Sequence, residues 1–407
     1  MPGRLSCLKL RCFRSIRLAK VELDNPTFLV GANGSGKSNF VDAFSILSDV
    51  MAIPLQAVFD QRGGIGAVRT RQPGRGFPPN LIITAELEGP SDAIRAARFA
   101  FEVKALPDAG FEVVREQCVV RFKDGTSSHY DRDSNPERRG GKRPFHSSEQ
   151  GLDPSIALNS LVLPAIAGHP RFEPVSDFLR KIRHYSIEPS KLREMQDPDG
   201  GSVLRADGRN AASVLREIER HSQADWEQAC AFLAAAVPHT SSVEAKPFGN
   251  KIALEFTQEW DNSRKVKFGG FSMSDGTLRI LGLLTAVFQR ERPSVLVVEE
   301  PESSIHPAAL DTLLEILETA SRRMQVVVTT HSPDLLDHRL VTAENLRIVS
   351  WNEGRTDIGK VSPDAIASIR DGLMGAGELL RAERLDADPE FFSMSPGSQR
   401  NFFEIGF

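Results

Sequence analysis

Residues 26–45 read Pro-Thr-Phe-Leu-Val-Gly-Ala-Asn-Gly-Ser-Gly-Lys-Ser-Asn-Phe-Val-Asp-Ala-Phe-Ser. The apolar run 28–30 predicts a short buried strand, and apolar residues recur at helical spacing over residues 40–47. Between them, residues 31–38 fit the pattern Gly-x-x-x-x-Gly-Lys-Ser/Thr. A strand, a glycine-rich turn and a helix in this order are what a phosphate-binding loop requires. The stretch therefore predicts an α/β fold with a nucleotide site where its first helix begins.

The residue types inside this loop have separate predicted tasks. Glycines allow a tight turn whose successive N–H groups point at phosphate oxygens, and the helix that follows adds the positive end of its dipole. Lys37 is expected to reach the β- and γ-phosphates, and the Ser38 hydroxyl is expected to hold Mg²⁺. The predicted ATP-binding residues of this stretch are Gly31, Asn33, Gly34, Ser35, Gly36, Lys37, Ser38 and Asn39.

Composition places the chain among ordinary globular proteins. Its 407 residues allow two or three domains, and 40% are hydrophobic and 26% charged. With a net charge of −4, any DNA contact has to come from a local basic patch. The 4 cysteines include no Cys-x-x-Cys pair, which argues against a disulfide framework or a zinc site. This cysteine usage is typical of a protein in the reducing cytosol. No apolar stretch approaches the roughly 18 residues that span a bilayer, and we expect a cytoplasmic protein without a membrane partner.

Hydrophobic patterning predicts the order of the elements. Apolar and polar residues alternate over 4–24, which predicts two strands, and again within 81–122, which predicts an antiparallel meander. Residues 123–150 are polar and irregular and predict a loop, whereas residues 155–240 are mostly helical in pattern. From residue 274 onward strands alternate with helices, which predicts a parallel sheet with helices on its faces.

Two carboxylates follow a buried strand in the last third of the chain. The apolar run 295–298 leads directly into Glu299 and Glu300, so both lie at the mouth of a parallel sheet. Glu299 could hold the hydration shell of Mg²⁺, and Glu300 could orient or deprotonate an attacking water. A solvated acidic strand end is the alternative, which the upstream phosphate-binding loop disfavours.

Two further segments carry candidate phosphate ligands. His331 follows the buried strand 325–329 and could donate a ring N–H to a γ-phosphate. Ser274, Asp275 and Gly276 open a helix, and their hydroxyl and N–H groups would attract an anion. A simple helix cap is the alternative for this segment, and the segment by itself favours the cap.

Five ordered segments resemble the motifs of ABC-type ATPases. Residues 31–38 resemble the Walker A motif, 274–277 the signature, 299–302 the Walker B motif, 303–307 the D-loop and 330–333 the H-loop. More narrowly, the chain resembles the RecF-, SMC- and OLD-related stand-alone ATPases of bacteria, often labelled AAA-family ATPases. The resemblance implies a P-loop head with a mixed or parallel sheet, an antiparallel β subdomain and a helical lobe.

The same resemblance implies a division of the chain and a mode of action. The predicted segments are an N-terminal part of the ATPase lobe (1–125), an irregular loop and helical insert (126–245), the C-terminal part of the lobe (246–355) and an extension (356–407). Two copies would sandwich two ATP molecules with Mg²⁺. Each copy's signature, matched by Ser274, Asp275 and Gly276, would then contact the γ-phosphate held by the other copy.

The motif residues receive roles from the resemblance, and two of them depart from its pattern. Lys37, Glu300 and His331 would be catalytic, whereas Ser38 and Glu299 would hold Mg²⁺. Glu299 replaces the usual aspartate, which predicts slow hydrolysis. Asp275 replaces the first glycine of the signature, which suits the OLD-like branch better than transporter subunits. The glutamine of the Q-loop has two candidates, Gln117 and Gln150, and the sequence does not choose between them.

The predicted function is an ATP-driven switch in which homodimerisation gates a DNA-directed or effector-coupled process, in anti-phage defence or DNA repair. No TOPRIM pattern follows His331, so the implied nuclease or toxin would be a separate chain. Arginine clusters within 62–75 and 138–143 could meet DNA phosphates, although solvated loops are the favoured interpretation. The other classes left open are an energising subunit of a transporter and a scaffold that binds ATP with little turnover.

Overall fold

A computed structural model describes residues 3–70, 80–108, 110–135, 143–260, 264–388 and 402–403. The strands within these residues are β1 (Arg4–Phe13), β2 (Ile16–Glu22), β3 (Thr27–Val30), β4 (Leu81–Glu88), β5 (Ile94–Ala105), β6 (Phe111–Phe122), β7 (Ser127–Asp133), β8 (Phe145–Ser147), β9 (Arg183–Tyr185), β10 (Thr240–Phe248), β11 (Lys251–Trp260), β12 (Arg264–Gly269), β13 (Val295–Glu299), β14 (Gln325–Thr330), β15 (Leu346–Asn352) and β16 (Arg355–Gly359). The helices are α1 (Lys37–Asp49), α2 (Leu55–Asp60), α3 (Ile65–Val68), α4 (Val162–Ala165), α5 (Glu173–Arg180), α6 (Pro189–Arg193), α7 (Ala211–His221), α8 (Gln223–Ala236), α9 (Asp275–Phe288), α10 (Leu310–Ser321), α11 (Pro333–Leu336), α12 (Pro363–Arg370) and α13 (Ala376–Arg381).

The described strands form three sheets. An antiparallel sheet has the order β2-β1-β4-β5-β6-β7-β8, and a smaller one has the order β10-β11-β12. The third sheet has the order β16-β15-β3-β14-β13-β9 and is parallel except for β16, which pairs antiparallel with β15. A parallel sheet beside an antiparallel subdomain confirms the predicted fold class.

The parallel sheet is covered on both faces, which explains why its strands β3, β13 and β14 are largely apolar. Successive side chains of a strand point to opposite faces. Val297 and Val327 therefore pack into the core that includes α1 and the antiparallel sheet, whereas Val298 and Val328 pack into the core that includes α9 and α10. All four valines are buried.

The strand order brings the sequence motifs to one edge of the parallel sheet. β3 pairs parallel with β14, and β14 pairs parallel with β13, so their carboxyl ends lie side by side. The phosphate-binding loop follows β3, the two glutamates follow or end β13, and His331 follows β14. Ligands of open α/β sheets bind at this edge.

The loop predicted over residues 123–150 is wrong for two segments, because β7 and β8 extend the antiparallel sheet there. The inward-facing residues of β7 are mostly polar, so the sequence shows no alternation of apolar and polar residues that would predict a strand there. Arg132, for example, lies buried and donates hydrogen bonds to the carbonyls of Ser160 at 2.7 Å and Ala157 at 2.9 Å. Part of the second arginine cluster, residues 138–142, lies outside the described residues.

A buried carboxylate joins this meander to the segment that follows it. Glu116 accepts hydrogen bonds from the backbone N–H groups of Val162 at 2.6 Å and Leu163 at 2.8 Å, and from the Tyr130 hydroxyl at 2.8 Å. Burial raises the pKa of Glu116 to about 7 from an ordinary value of 4.5, although the hydrogen bonds act in the opposite direction. Between about pH 4.5 and pH 7, the folded protein therefore holds a proton on Glu116 that the unfolded chain releases.

We expect this proton to make stability fall as pH rises from about 4.5 to about 7, because only the unfolded state loses it in that window. The difference between the two pKa values corresponds to about 3 kcal/mol. Glu116→Gln carries no titrating group, so the difference between its thermal unfolding and that of the parent should change across this window. Parallel stability curves for the two proteins would contradict the shift.

Candidate nucleotide-binding site

The loop between β3 and α1 needs its glycines for two physical reasons. Gly34 and Gly36 have φ values of 79° and 104°, in the left-handed region that favours glycine. A Cβ atom on Gly36 would lie 1.9 Å from the Thr356 Oγ1 atom, and one on Gly31 would lie 2.1 Å from the Val349 carbonyl oxygen. The middle of β15 and the start of β16 thus pack against the loop and limit its curvature.

Polar side chains hold this loop from outside. The Thr356 hydroxyl donates to the Ser35 carbonyl at 2.9 Å and lies 2.7 Å from the Ser15 hydroxyl. Asn39 donates its side-chain amide to the same Ser15 oxygen at 2.6 Å. The Ser35 hydroxyl itself is buried and has no hydrogen-bond partner among the described residues. An unpartnered buried hydroxyl inside a glycine loop fits a site that receives a polar ligand.

Lys37 lies at the start of α1 with its ammonium group turned back onto the loop. The Nζ atom donates to the carbonyl oxygens of Gly31 at 2.7 Å and Ala32 at 3.1 Å. Burial lowers the pKa of Lys37, and the carboxylates that follow β13 oppose this effect. The group can therefore offer a charged donor to an anion in the loop.

Ser38 and Glu299 meet across the site as predicted. The Ser38 hydroxyl donates to one carboxylate oxygen of Glu299 at 2.5 Å, and the other oxygen lies 2.7 Å from His184 Nε2. Burial acts to raise the pKa of Glu299, but the hydrogen bonds from His184 and Ser38 outweigh burial, so the pKa lies below its ordinary value. An ionised carboxylate beside a hydroxyl is a ligand set that suits Mg²⁺, which prefers oxygen.

Glu300 and His331 form a second pair at the same edge. The Nδ1 atom of His331 lies 3.2 Å from a carboxylate oxygen of Glu300, and both side chains are partly exposed, at 43% and 34%. Glu300 adopts a φ of 41°, in the left-handed region, and donates its N–H to the Thr329 carbonyl at 3.0 Å. Backbone strain at a residue that a neighbouring strand holds in place is a feature of functional sites.

Glu302 links the two loops that follow β13 and β14. One carboxyl oxygen accepts a hydrogen bond from the Thr330 hydroxyl at 2.5 Å, and the Thr330 oxygen accepts the Ser332 N–H at 3.0 Å. The other oxygen of Glu302 is buried without a hydrogen-bond partner among the described residues. Burial raises the pKa of Glu302. The sequence analysis assigned this residue no separate role.

Ser274 caps α9, as the helix-cap interpretation predicted. Its hydroxyl accepts the Thr277 N–H at 3.1 Å, and Asp275 pairs with Arg193 at 2.5 Å. A Cβ atom on Gly276 would lie 2.5 Å from the Ser304 carbonyl oxygen, so the helix end packs closely on the segment after β13. The cap does not exclude an anion, because the first N–H groups of a helix still point outward.

Within one copy, the structure does not bring this helix end to the phosphate-binding loop. No hydrogen bond or ion pair among the described residues joins Ser274, Asp275 or Gly276 to residues 31–38. A cavity of about 520 Å³ is lined by Ser274 and Gly276, and a separate cavity of about 540 Å³ is lined by the phosphate-binding loop. The two cavities share no lining residue.

Neither glutamine proposed for the Q-loop contacts this site through a hydrogen bond in the described part of the chain. Gln117 lies buried in β6 and donates to Asp131 at 2.8 Å, and Gln150 lies exposed in a turn. His184 contacts Glu299 instead, and the sequence analysis missed it. The only signal was one histidine in a three-residue strand, which is too short to show a periodic pattern.

Arg62 departs from both interpretations of the first arginine cluster. Its side chain is only 10% exposed, and it donates hydrogen bonds to Asp42 at 2.8 Å and Asp49 at 2.7 Å. The residue is therefore neither part of a solvated loop nor available to DNA. Arg71 and Arg75 of the same cluster lie outside the described residues.

Comparison with known proteins gives a family and a fold. A family model described as "AAA domain, putative AbiEii toxin, Type IV TA system" matches residues 27–337. No curated protein matches the chain. The crystal structure of an SmcHead bound to the C-winged helix domain of ScpA is similar with a TM-score of 0.54 and 13% identity, over 89% of this chain and 99% of that chain.

A second solved structure has a similar fold over a comparable share of the chain. It is an Smc head domain with an extended coiled coil, bound to the C-terminal domain of ScpA and derived from Pyrococcus furiosus. Its TM-score is 0.52 at 13% identity, over 91% of this chain and 99% of that chain. At this identity the two structures show the fold alone, which is that of SMC head domains.

In the part of the chain that the structure describes, no helix has the length and apolarity to cross a membrane. The matched residues 27–337 are most of the chain and contain all the predicted site residues. The predicted resemblance to RecF- and SMC-like AAA ATPases is confirmed. The chain belongs to the AAA family described as "AAA domain, putative AbiEii toxin, Type IV TA system".

Proposed function

We propose that this chain binds ATP with Mg²⁺ and hydrolyses it between two copies of itself. One observation carries the proposal: the phosphate-binding loop, the Ser38–Glu299 pair and the Glu300–His331 pair meet at one edge of the parallel sheet. These are the parts that phosphoryl transfer to water requires, namely a phosphate cradle, oxygen ligands for a metal and a carboxylate near the attacking water.

Each group of residues has one task in this proposal. The loop N–H groups and Lys37 would bind the phosphates, and Ser38 and Glu299 would hold Mg²⁺. Bound Mg²⁺ would neutralise charge that develops on the phosphate oxygens. Glu300 would orient the attacking water and accept its proton, while His331 would hold the Glu300 carboxylate and approach the γ-phosphate.

The proposed homodimer is supported by the separation of the phosphate-binding loop from the start of α9. Within one copy, no hydrogen bond among the described residues joins the start of α9 to the phosphate-binding loop, and the two line different cavities. A second copy could place its Ser274 and Gly276 against the triphosphate, where the N–H groups and the dipole of α9 would stabilise negative charge. Asp275 would be turned away from that charge by its pairing with Arg193.

We further propose that closing of the dimer is passed to a separate effector chain, a nuclease or toxin, or to DNA. The two similar SMC heads are described as bound to domains of ScpA, which supports a partner chain. Anti-phage defence or DNA repair in the cytoplasm is the proposed setting. Copurification of the full chain with the product of the neighbouring gene, with and without ATP, tests the partner.

A scaffold that uses ATP with little turnover is the second candidate. Glu299 is one methylene longer than the aspartate of the resembled motif, and its carboxylate already lies 2.5 Å from the Ser38 hydroxyl. A single-turnover experiment with radiolabelled ATP and excess protein separates the two candidates. Phosphate released with Mg²⁺ and not with EDTA supports the ATPase, whereas intact ATP on a stable dimer supports the scaffold.

Ser274→Arg is expected to leave ATP binding to the monomer unchanged but to abolish the ATP-dependent dimer. Turnover should fall by about 100-fold or more, because a bulky side chain at the start of α9 keeps the two copies apart. Light scattering after gel filtration measures the dimer. Ser222→Arg is a matched control, since Ser222 caps α8 in the same way and accepts the Asp225 N–H at 3.3 Å. Loss of the dimer in both variants would count against a specific role for Ser274.

A further inference from the structure

We propose that His184 is a positioning residue for the metal site, which fixes the Glu299 carboxylate so that one oxygen faces Ser38. The inference rests on the proposed role of Glu299 in holding Mg²⁺.

The sheet places His184 beside the strand that ends in Glu299. β9 pairs parallel with β13, and His184 lies opposite Val297, two residues before Glu299. The His184 Nε2 atom lies 2.7 Å from the Glu299 Oε1 atom, whereas the Ser38 hydroxyl contacts Oε2. The His184 and Glu299 side chains are only 23% and 19% exposed, so water competes weakly for this hydrogen bond.

A second hydroxyl on α1 orients the imidazole ring. The Ser45 Oγ atom lies 3.1 Å from His184 Nδ1, and Ser45 follows Ser38 by two helical turns on the same helix. When the Ser45 hydroxyl donates to Nδ1, the ring proton of a neutral imidazole resides on Nε2, where it is donated to Glu299. Ser45, His184, Glu299 and Ser38 thus form a closed chain of contacts that begins and ends on α1.

These contacts restrict the carboxylate of the proposed metal site, which needs restriction because it belongs to a glutamate. A glutamate has one more rotatable bond than an aspartate, and ordering it costs more side-chain entropy. Two hydrogen bonds, one to each carboxylate oxygen, remove that freedom before any metal arrives. Outer contacts of this kind orient metal ligands, and their loss lowers metal affinity by about 10- to 100-fold.

His184 also borders a cavity, which makes its substitution informative. A cavity of about 770 Å³ is lined by His184, Ser45 and Asp42 among other residues. Removing the imidazole would therefore enlarge a space that already exists, and would expose Glu299 to water from that side. The substitution does not open a void inside the apolar core.

The test measures Mn²⁺ binding to the full chain saturated with AMP-PNP, by electron paramagnetic resonance of free Mn²⁺. His184→Ala should weaken Mn²⁺ binding by about 10- to 100-fold. Its affinity for AMP-PNP in EDTA should stay within about twofold of the parent, because the phosphate-binding loop is untouched. His184→Gln, whose amide can still reach Glu299, should recover most of the Mn²⁺ affinity, whereas the shorter His184→Asn should not.

His129→Ala is the matched control, because His129 is a partly buried strand histidine that stacks on His146 in the antiparallel sheet. It should leave Mn²⁺ binding unchanged. Equal Mn²⁺ affinity in His184→Ala and the parent would overturn the proposal. Weaker AMP-PNP binding in EDTA for all three His184 variants would overturn it too, since that pattern indicates general damage. A parent that binds Mn²⁺ and AMP-PNP but releases no phosphate from ATP would contradict hydrolysis alone, and the Mn²⁺ comparison would still decide the role of His184.

Discussion

Lys37→Ala is expected to reduce ATP affinity by at least about 100-fold, equivalent to about 2.8 kcal/mol. The ammonium group is the one positively charged side chain within residues 31–38, and it already lies against the loop through the Gly31 and Ala32 carbonyls. Backbone N–H groups carry partial charges only, so they cannot neutralise a triphosphate without it. Hydrogen bonds between charged groups contribute more to binding free energy than neutral ones. The variant would lose such bonds from Lys37 to the β- and γ-phosphates.

The measurement is titration of the full chain with a fluorescent ATP analogue in EDTA and in Mg²⁺. Lys181→Ala removes one positive charge from a surface pair with Asp177 and controls for net charge. Thermal unfolding without nucleotide controls for the loop, since Lys37 also satisfies two carbonyl groups there. ATP affinity equal to that of the parent would reject residues 31–38 as the nucleotide site.

Glu300→Gln is expected to bind ATP normally, to lower phosphate release by about 10²- to 10⁴-fold and to accumulate the ATP-bound dimer. Glutamine keeps the shape of the side chain at the end of β13 but cannot accept a proton from water. The strained φ of 41° and the hydrogen bond to Thr329 belong to the backbone and should persist. The effect therefore isolates the carboxylate chemistry from the local fold.

Glu302→Gln is the matched comparison for this experiment. It makes the same substitution two residues further on, and its amide oxygen can still accept the Thr330 hydroxyl. Because burial raises the pKa of Glu302, the loss of its charge should matter less than the loss of the Glu300 charge. Parent-like turnover in Glu300→Gln, or an equal loss in both variants, would contradict the role assigned to Glu300.

Those parts of the site that adjoin apolar strands could be predicted from sequence. Residues 31–38 come directly after the buried strand β3, and Glu299 is the last residue of β13. Each of these strands shows a run of apolar residues that marks its end. The rule that ligand-binding loops gather at the carboxyl edge of a parallel sheet then predicted that these segments meet there. The roles assigned to the residues there remain predictions.

Other contacts could not be predicted, for specific physical reasons. β9 has three residues, so neither its existence nor the approach of His184 to Glu299 left a periodic signal. Arg62 lies 13 residues after Asp49, and only the fold of α2 and its turn brings their side chains together. Thr356 contacts the phosphate-binding loop from a strand more than 300 residues away in sequence. Such pairings are set by tertiary packing, which single-sequence patterns do not contain.

The central position of β3 has a consequence for synthesis of the chain on the ribosome. β3 is made within the first 30 residues, but its two neighbours, β14 and β15, end at residues 330 and 352. The strand that leads into the phosphate-binding loop therefore cannot pair with either neighbouring strand until most of the polypeptide has been synthesised. A nascent chain shorter than about 350 residues should not retain ATP, since pairing over such sequence separations comes late in folding.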